Sequence, residues 1–452
     1  MSDVIVNSTA APVPARHFMV AALASLFGWG LDLFDLFILL YVAPTVGKLF
    51  FPASAPMLSL AGVYASFAVT LLLRPVGAAL FGTYADRHGR RRAMMIAITG
   101  VGLSTAIFGA LPTVAQIGGA ATALFLLFRV VQGIFVGGVV ASSHTIGTES
   151  APRRWRGILS GAVGGAGSAI GGLLASLVFF IVSTIAPGPE FAEWGWRLMF
   201  FSGLLTTVVG MIIFYNLEES PYFQAMAARR AARRESLAAG PNPAREVLAG
   251  RFLPVLCVNL LLTIGAGGGY YLTSGYMPTF LSVVDKISRQ QASLVLICVS
   301  LAGAAGAILF GEISEHVGRK PVFIVASAVR IVAFPLLFMA MSHTRDLTML
   351  GVYAVSLAFL ANGSYGPLLI FLNERFPTRL RATGTGLSWN IGYAFGGMMP
   401  FFVSLVAGQS QALPRILAIF SCGISVIFLI GGLIIPETRD NLDQPDTAVD
   451  GA

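Results

Sequence analysis

Asp32 and Asp35 interrupt an apolar stretch near the start of the chain, and Arg129 interrupts a later one. A carboxylate beside a guanidinium keeps its charge, and one parted from it in a low-dielectric setting takes up a proton, so such groups can work as a proton switch. The two aspartates stand at i and i+3, on one helical face. A lone charge at mid-bilayer costs at least ~2.5 to 3.5 kcal/mol on the insertion scale, so intramembrane charges face a cavity or one another. Counting ~1.5 Å per residue from the arginine-rich ends of their helices puts Asp32 and Asp35 about 22 to 27 Å along, and Arg129 about 28 Å. Matching depths predict an acid paired with Arg129. If a substrate carboxylate recruits Arg129, the freed acid takes a proton and both charges cross together, which is symport. Asp35 is preferred as the proton carrier with Asp32 as its partner; the reverse assignment and a purely structural ion pair are the alternatives.

Arg74, followed by Pro75, is a second intramembrane guanidinium, suited to an anionic substrate or to a gate between helices. The second half offers neutral groups instead. Tyr270, Tyr271 and Tyr276, Asn362 and Tyr365, and Trp389, Asn390 and Tyr393 are polar or amphipathic among Gly, Leu and Phe. They suit a small organic molecule held by a few hydrogen bonds against aromatic faces, with Tyr276, Tyr365 and Asn390 the leading candidates.

These residues sit in a chain that belongs in a bilayer. Of 452 residues, 56% are hydrophobic and 11% charged, with a mean hydropathy of +0.79. Apolar runs of about 20 residues, the length that crosses ~30 Å of hydrocarbon, recur twelve times. They lie near 18 to 44, 58 to 84, 93 to 111, 118 to 146, 157 to 185, 194 to 216, 252 to 281, 290 to 314, 320 to 341, 347 to 373, 382 to 407 and 414 to 435. The fold class is therefore an all-α integral membrane protein. Twenty of the 29 Lys and Arg fall on one side of the membrane, and the positive-inside rule makes that side cytoplasmic, with both termini. An inner, or cell, membrane is the expected location. Because the net charge of +8 is spread over short loops, it sets topology and implies no nucleic-acid partner.

Other chemistries find little support. Five dispersed histidines without a nucleophile motif argue against an enzyme. Cys257, Cys298 and Cys422 lie apart, with no CxxC spacing, so no metal or disulfide role is read for them. Without a Walker A sequence the energy source is expected to be an ion gradient, a proton gradient in preference to sodium, with no cofactor.

The chain is also duplicated. Phe81-Gly82 and the run from Asp86 through Arg87, Arg90 and Arg91 return 229 residues later as Phe310-Gly311 and the run from Glu315 to Arg319 and Lys320. Glu149, Pro152, Arg154 and Arg156 return 225 residues later as Glu374, Pro377, Arg379 and Arg381. Two halves related in this way rock against each other in secondary transporters. The expected organisation is a six-helix unit at 1–217, an arginine-rich linker at 218–251, a second unit at 252–435 and a tail at 436–452. Carboxylates at the loop ends can tie helices through charge-assisted hydrogen bonds that break as the halves part. Asp86, Glu149, Glu315 and Glu374, with Arg87, Arg90, Arg91, Arg154, Arg156, Arg319, Arg379 and Arg381, are the candidate cytoplasmic gate.

Arg74-Pro75-Val76-Gly77, Phe81-Gly82 and Asp86 through Arg91 resemble the loop between helices 2 and 3 of the major facilitator superfamily, especially its metabolite:proton symporters. Gly28 to Phe37, Arg129 to Gly133, Glu149 to Gly157, Glu219-Ser220-Pro221 and Pro436-Glu437-Thr438 extend the likeness over nearly the whole chain; Tyr270-Tyr271 and the closing Pro-Glu-Thr touch the sugar porters. The resemblance implies two pseudo-symmetric six-helix bundles, alternating access, and a fold that works as one chain. In the metabolite symporters a Glu follows Gly-Gly in the fourth helix, where Val139 stands here. Loss of that carboxylate favours an anion, and the expected activity is proton-coupled import of a small organic acid. A neutral or zwitterionic solute such as a sugar or betaine, or proton-driven export, is the alternative.

Overall fold

A computed structural model describes residues 15–88, 90–149, 161–215, 243–377 and 380–439, with side chains described mainly over 26–81, 92–139, 161–212, 244–377 and 383–439. Among the described residues the regular structure is helical, and twelve helices are long and apolar enough to cross a membrane. They are α1 (Leu26–Phe50), α2 (Pro56–Phe81), α3 (Arg92–Ala110), α4 (Ala120–Val139), α5 (Ala162–Ile185), α6 (Phe191–Ile212), α7 (Leu253–Val283), α8 (Arg289–Val317), α9 (Arg319–His343), α10 (Leu347–Glu374), α11 (Thr383–Ala407) and α12 (Ser410–Ile434). The first helix runs past its expected end near 44, because Pro44 lies inside it and the chain stays helical to Phe50. Within a bilayer a backbone that leaves the helix has nothing to bond to, so a proline is absorbed.

The duplication is visible in the packing. In the first half α1 pairs with α5, α2 with α4, and α3 with α6; in the second α7 pairs with α11, α8 with α10, and α9 with α12. The result is two pseudo-symmetric six-helix bundles, joined chiefly where α5 meets α8 and α2 meets α11. Peripheral helices turn their large apolar side chains to lipid: Val325, Val332 and Leu336 of α9 are 60 to 65% exposed, while Phe323 and Phe334 on its other side are buried. Three central helices break. α7 passes from an α-helix through a π-helical stretch at Tyr271–Gly275 into Met277–Val283. α10 breaks at Gly366-Pro367, and α11 before Pro400. Proline removes a backbone donor, and π turns recur where side chains must be re-aimed.

At the end opposite the arginine-rich loops the bundles are tied together. The Tyr64 and Thr279 hydroxyls share a hydrogen bond of 2.8 Å, and Tyr64 stacks on Tyr276 with 4.9 Å between centroids. Tyr276 in turn shares a 2.7 Å bond with Ser404 of α11. Arg289 donates to the Gly188 carbonyl and Gln290 to that of Ser183, joining α8 to the end of α5.

Candidate functional site

The two aspartates part company in the folded chain. Three residues turn a helix by about 300°, so side chains at i and i+3 diverge by ~60°, enough in a crowded bundle to meet different neighbours. Asp32 turns to α2, where its Oδ2 accepts from Arg74 Nη2 at 3.3 Å. Asp35 turns into the first bundle, toward Thr105 of α3, Arg129 of α4 and Thr206 of α6. Of the two acids it is Asp35 that faces Arg129, whereas Asp32 has Arg74 as its partner, because α2 lies on that side of α1.

Around Asp35 the polar groups form a chain. Arg129 Nη1 donates to Gln132 Oε1 at 2.6 Å, and Gln132 Nε2 donates to Thr105 Oγ1 at 2.7 Å. The Arg129 guanidinium lies 4.2 Å over the Phe108 ring and 5.2 Å from that of Phe125. Asp35 and Arg129 are 1% and 0% exposed, yet both oxygens of Asp35, and Nε and Nη2 of Arg129, have no hydrogen-bond partner. A buried acid facing a buried base without a direct bond is poised to change protonation when the geometry shifts. Gln132 and Thr105 were not anticipated as part of this cluster, although Gln132 stands at i+3 from Arg129, a spacing that sequence alone carries.

Asp32 and Arg74 lie where the bundles meet. Tyr271 of α7 is within electrostatic reach of both, and Tyr365 of α10 within reach of Arg74. Rings crowd beside them: Tyr365 packs on Trp389, Tyr393 and Tyr270 at centroid distances of 5.2, 5.7 and 6.0 Å, and Trp389 stacks on Tyr393 at 4.2 Å. Trp29, which sequence reasoning overlooked, joins from α1 and donates its indole N–H to the Gly164 carbonyl and Ser168 hydroxyl, each at 3.2 Å. Asn390 is buried on the same helix as Trp389, with its amide donating to its own Gly386 carbonyl. Tyr276 is not brought to this group. It belongs to the closed end with Tyr64, because the break in α7 separates it from Tyr270 and Tyr271.

Arg330 of α9 is a further buried charge. Although α9 is peripheral, its guanidinium is fully buried, donating to Ser364 Oγ and the Gly265 carbonyl, both at 3.0 Å. It holds α7, α9 and α10 together at the glycine-rich stretch preceding the α7 break.

At the arginine-rich end, Arg319 is the hub. It reaches Glu315 at 2.8 Å, as the spacing predicts, and Glu374 at 2.9 Å. Glu374, for which the sequence offers Arg379 and Arg381, is met by Arg319, because the end of α10 abuts the α8–α9 turn; Arg381 donates to the Asn373 carbonyl. Thr438 adds a 2.7 Å bond to Glu374. Glu437 caps the start of α9, accepting from the backbone of Arg319 and Lys320. Burial raises its carboxyl, but four backbone donors outweigh that and leave it below its usual range. Asp86, Arg87, Arg90, Arg91, Glu149, Arg154, Arg156 and Arg379 lie outside the residues whose side chains are described.

Comparison with known proteins agrees with this architecture. The chain is 31% identical over 422 residues to the proline/betaine transporter of Salmonella typhimurium, covering 93% of this chain and 84% of that one. It is 30% identical over 422 residues to the proline/betaine transporter of Escherichia coli, with the same 93% and 84% coverage. The partially occluded inward-open form of the E. coli xylose transporter XylE superposes with a TM-score of 0.74 at 18% identity, over 94% of this chain and 99% of that one, a likeness of fold. Residues 18–400 match the Major Facilitator Superfamily. Twelve spans in paired bundles, buried charges at the centre and this match over most of the length make the chain a multi-pass membrane transporter, not an enzyme, of the major facilitator superfamily.

Proposed function

We propose that this transporter couples proton entry to uptake of a small zwitterionic solute, with the two acids of α1 divided between the tasks. The observation that carries the reading is the Asp32–Arg74 ion pair, buried between the bundles beside Tyr271 and Tyr365. A zwitterion replaces both members of that pair, its carboxylate on Arg74 and its cationic end toward Asp32, with no buried charge left over. An organic anion satisfies Arg74 and strands the Asp32 carboxylate, and a lone buried charge is costly. The organic-acid reading from sequence therefore gives way to its alternative. The similarity to proline/betaine transporters supports the same choice.

Asp35 is then the proton site. It faces Arg129 across the first bundle without bonding it. The nearby guanidinium disfavours a bound sodium ion and suits a carboxyl that alternates between neutral and charged. A solute at Asp32 and Arg74 shifts α1 and so the Asp35–Arg129 separation, which links the two events. With the arginine-rich face taken as cytoplasmic, the tied end is the outer one, the cell membrane is the location, and protons enter as the bundles rock.

The test is uptake into proteoliposomes under an imposed inward proton gradient, with labelled proline and glycine betaine beside lactate and succinate, for wild type and Asp35→Asn. Gradient-driven uptake of a zwitterion is expected in wild type, lost in Asp35→Asn, with solute exchange across the membrane retained. Accumulation of lactate or succinate in place of either zwitterion would sink the proposal.

A further inference from the structure

One guanidinium holds two of the broken helices beside their breaks. Arg330 of α9 donates through Nη1 to the Ser364 hydroxyl of α10 and through Nη2 to the Gly265 carbonyl of α7, each at 3.0 Å. Ser364 stands just before Tyr365 and the Gly366-Pro367 break of α10, and Gly265 opens the glycine-rich turn that leads into the π-helical stretch at Tyr271–Gly275. The guanidinium lies against α7 because position 269 is glycine: a Cβ there would fall on Arg330. Behind it the rings of Phe334 and of Phe428 on α12 lie 5.0 Å away. Its Nε has no hydrogen-bond partner, and among the described residues no carboxylate pairs with it. A buried cation without a counter-charge is a costly anchor, and a neutral amide offers the same two donors. Stability alone does not account for an arginine here.

Beyond their breaks the two helices lead to opposite ends of the molecule. The far segment of α7, Met277–Val283, carries Thr279, bonded to Tyr64 at the tied end. That of α10, Leu368–Glu374, carries Glu374, held by Arg319 at the arginine-rich end. We propose that Arg330 is the positioning residue that links these two segments, so that the two ends do not open together. Hinges absorb a movement in a few residues at the end of an element, and here both hinges adjoin one side chain. The guanidinium is a rigid planar fork, so its two bonds survive only if Gly265 and Ser364 move as a unit. A displacement at the α7 hinge is thereby passed to the α10 hinge. The link is independent of which solute is carried, and Arg330 itself touches none.

The test adds no solute. Proteoliposomes are given an inward proton gradient with the membrane potential clamped by potassium and valinomycin, and a trapped pH dye reads the leak, which grows with the fraction of molecules open at both ends. Ser364→Ala cuts the α10 limb and leaves the guanidinium in place; Arg330→Lys keeps the charge and loses the fork. Each is expected to leak about tenfold or more faster than wild type, the scale of one lost bond to a charged group. Gly137→Ala, which overpacks α4 against α2 in the other bundle, controls for lost stability and should leak as slowly as wild type. If both variants stay as tight as wild type, or if Gly137→Ala leaks as fast as they do, Arg330 is an anchor of the fold and the link is wrong. Neither result bears on the zwitterion reading, which stands or falls on uptake.

Discussion

Each buried charge in this chain has a neighbourhood that dictates what it can do, and Asp285 illustrates the rule outside the membrane spans. It follows α7 in the turn before α8, with Oδ2 buried and without a hydrogen-bond partner. Burial pushes its carboxyl up to about 7, with Arg345 pulling the other way. The pKa is raised on folding, so between about pH 4 and pH 7 the folded chain holds a proton that the unfolded chain has released. This contribution to stability is present at low pH and lost as pH rises through that window. Asp285→Asn is expected to melt at a higher temperature than wild type at pH 8, with the gap closing toward pH 4. Equal melting temperatures at pH 8, measured in detergent, would show that the charged form is solvated after all. The same logic of neighbourhood explains what could be read in advance. That Asp32, Asp35, Arg74 and Arg129 are buried was legible, because charges are rare in apolar runs. Which acid meets which guanidinium was not, because it turns on ~60° of helix rotation.

Elements are positioned here by close backbone approach. α2 and α4 pack through glycine on both sides: a Cβ at Gly137 would fall on the Arg74 carbonyl, one at Gly77 on that of Ile134, and one at Gly133 within 2.5 Å of that of Thr70. Thr70 further donates its hydroxyl to the Arg129 carbonyl at 3.2 Å. The backbones that carry Arg74 and Arg129 are therefore held together by missing side chains, the small-residue packing that membranes favour. Gly137→Ala should destabilise the protein by roughly 1 to 3 kcal/mol, as overpacking does, and weaken solute binding by displacing Arg74. Gly423→Ala, at a glycine of α12 with open space around it, is the control and should leave melting and binding near wild type. Equal melting temperatures for the two variants would remove the argument. Glycine's abundance in α4 and α5 was plain from the sequence; which backbone each one admits was not, since nothing local to a glycine names its neighbour.

Across the whole molecule the two ends are held by different chemistry. The closed end is held without an ion pair among the described residues, by hydroxyls and stacked rings, Tyr64 with Thr279 and Tyr276, and Tyr276 with Ser404, and by Arg289 and Gln290 on backbone carbonyls. At the opposite end the second bundle is braced internally by Arg319 with Glu315 and Glu374. Neutral hydrogen bonds contribute about 0.5 to 1.5 kcal/mol each, so removing one tilts a two-state equilibrium by a few-fold to about tenfold. Tyr64→Phe should raise the population open at the tyrosine end by that amount, seen as a longer distance between spin labels on the 51–55 and 284–288 loops. An unchanged distance distribution would mean that the stacking on Tyr276 alone keeps the end shut.

Sequence alone determined the solvent, the number of crossings, the duplication and the presence of buried charge. All of these follow from composition and order: a bilayer admits only long apolar helices, and a charge within one stands out. Tertiary structure alone decided the pairing of Asp32 with Arg74, the inward turn of Arg330 from a lipid-facing helix, the capture of Glu374 by Arg319 and the removal of Tyr276 to the closed end. Those outcomes depend on helix rotation and on where helices break and touch. The packing of twelve helices sets both jointly, and no single stretch of chain encodes either.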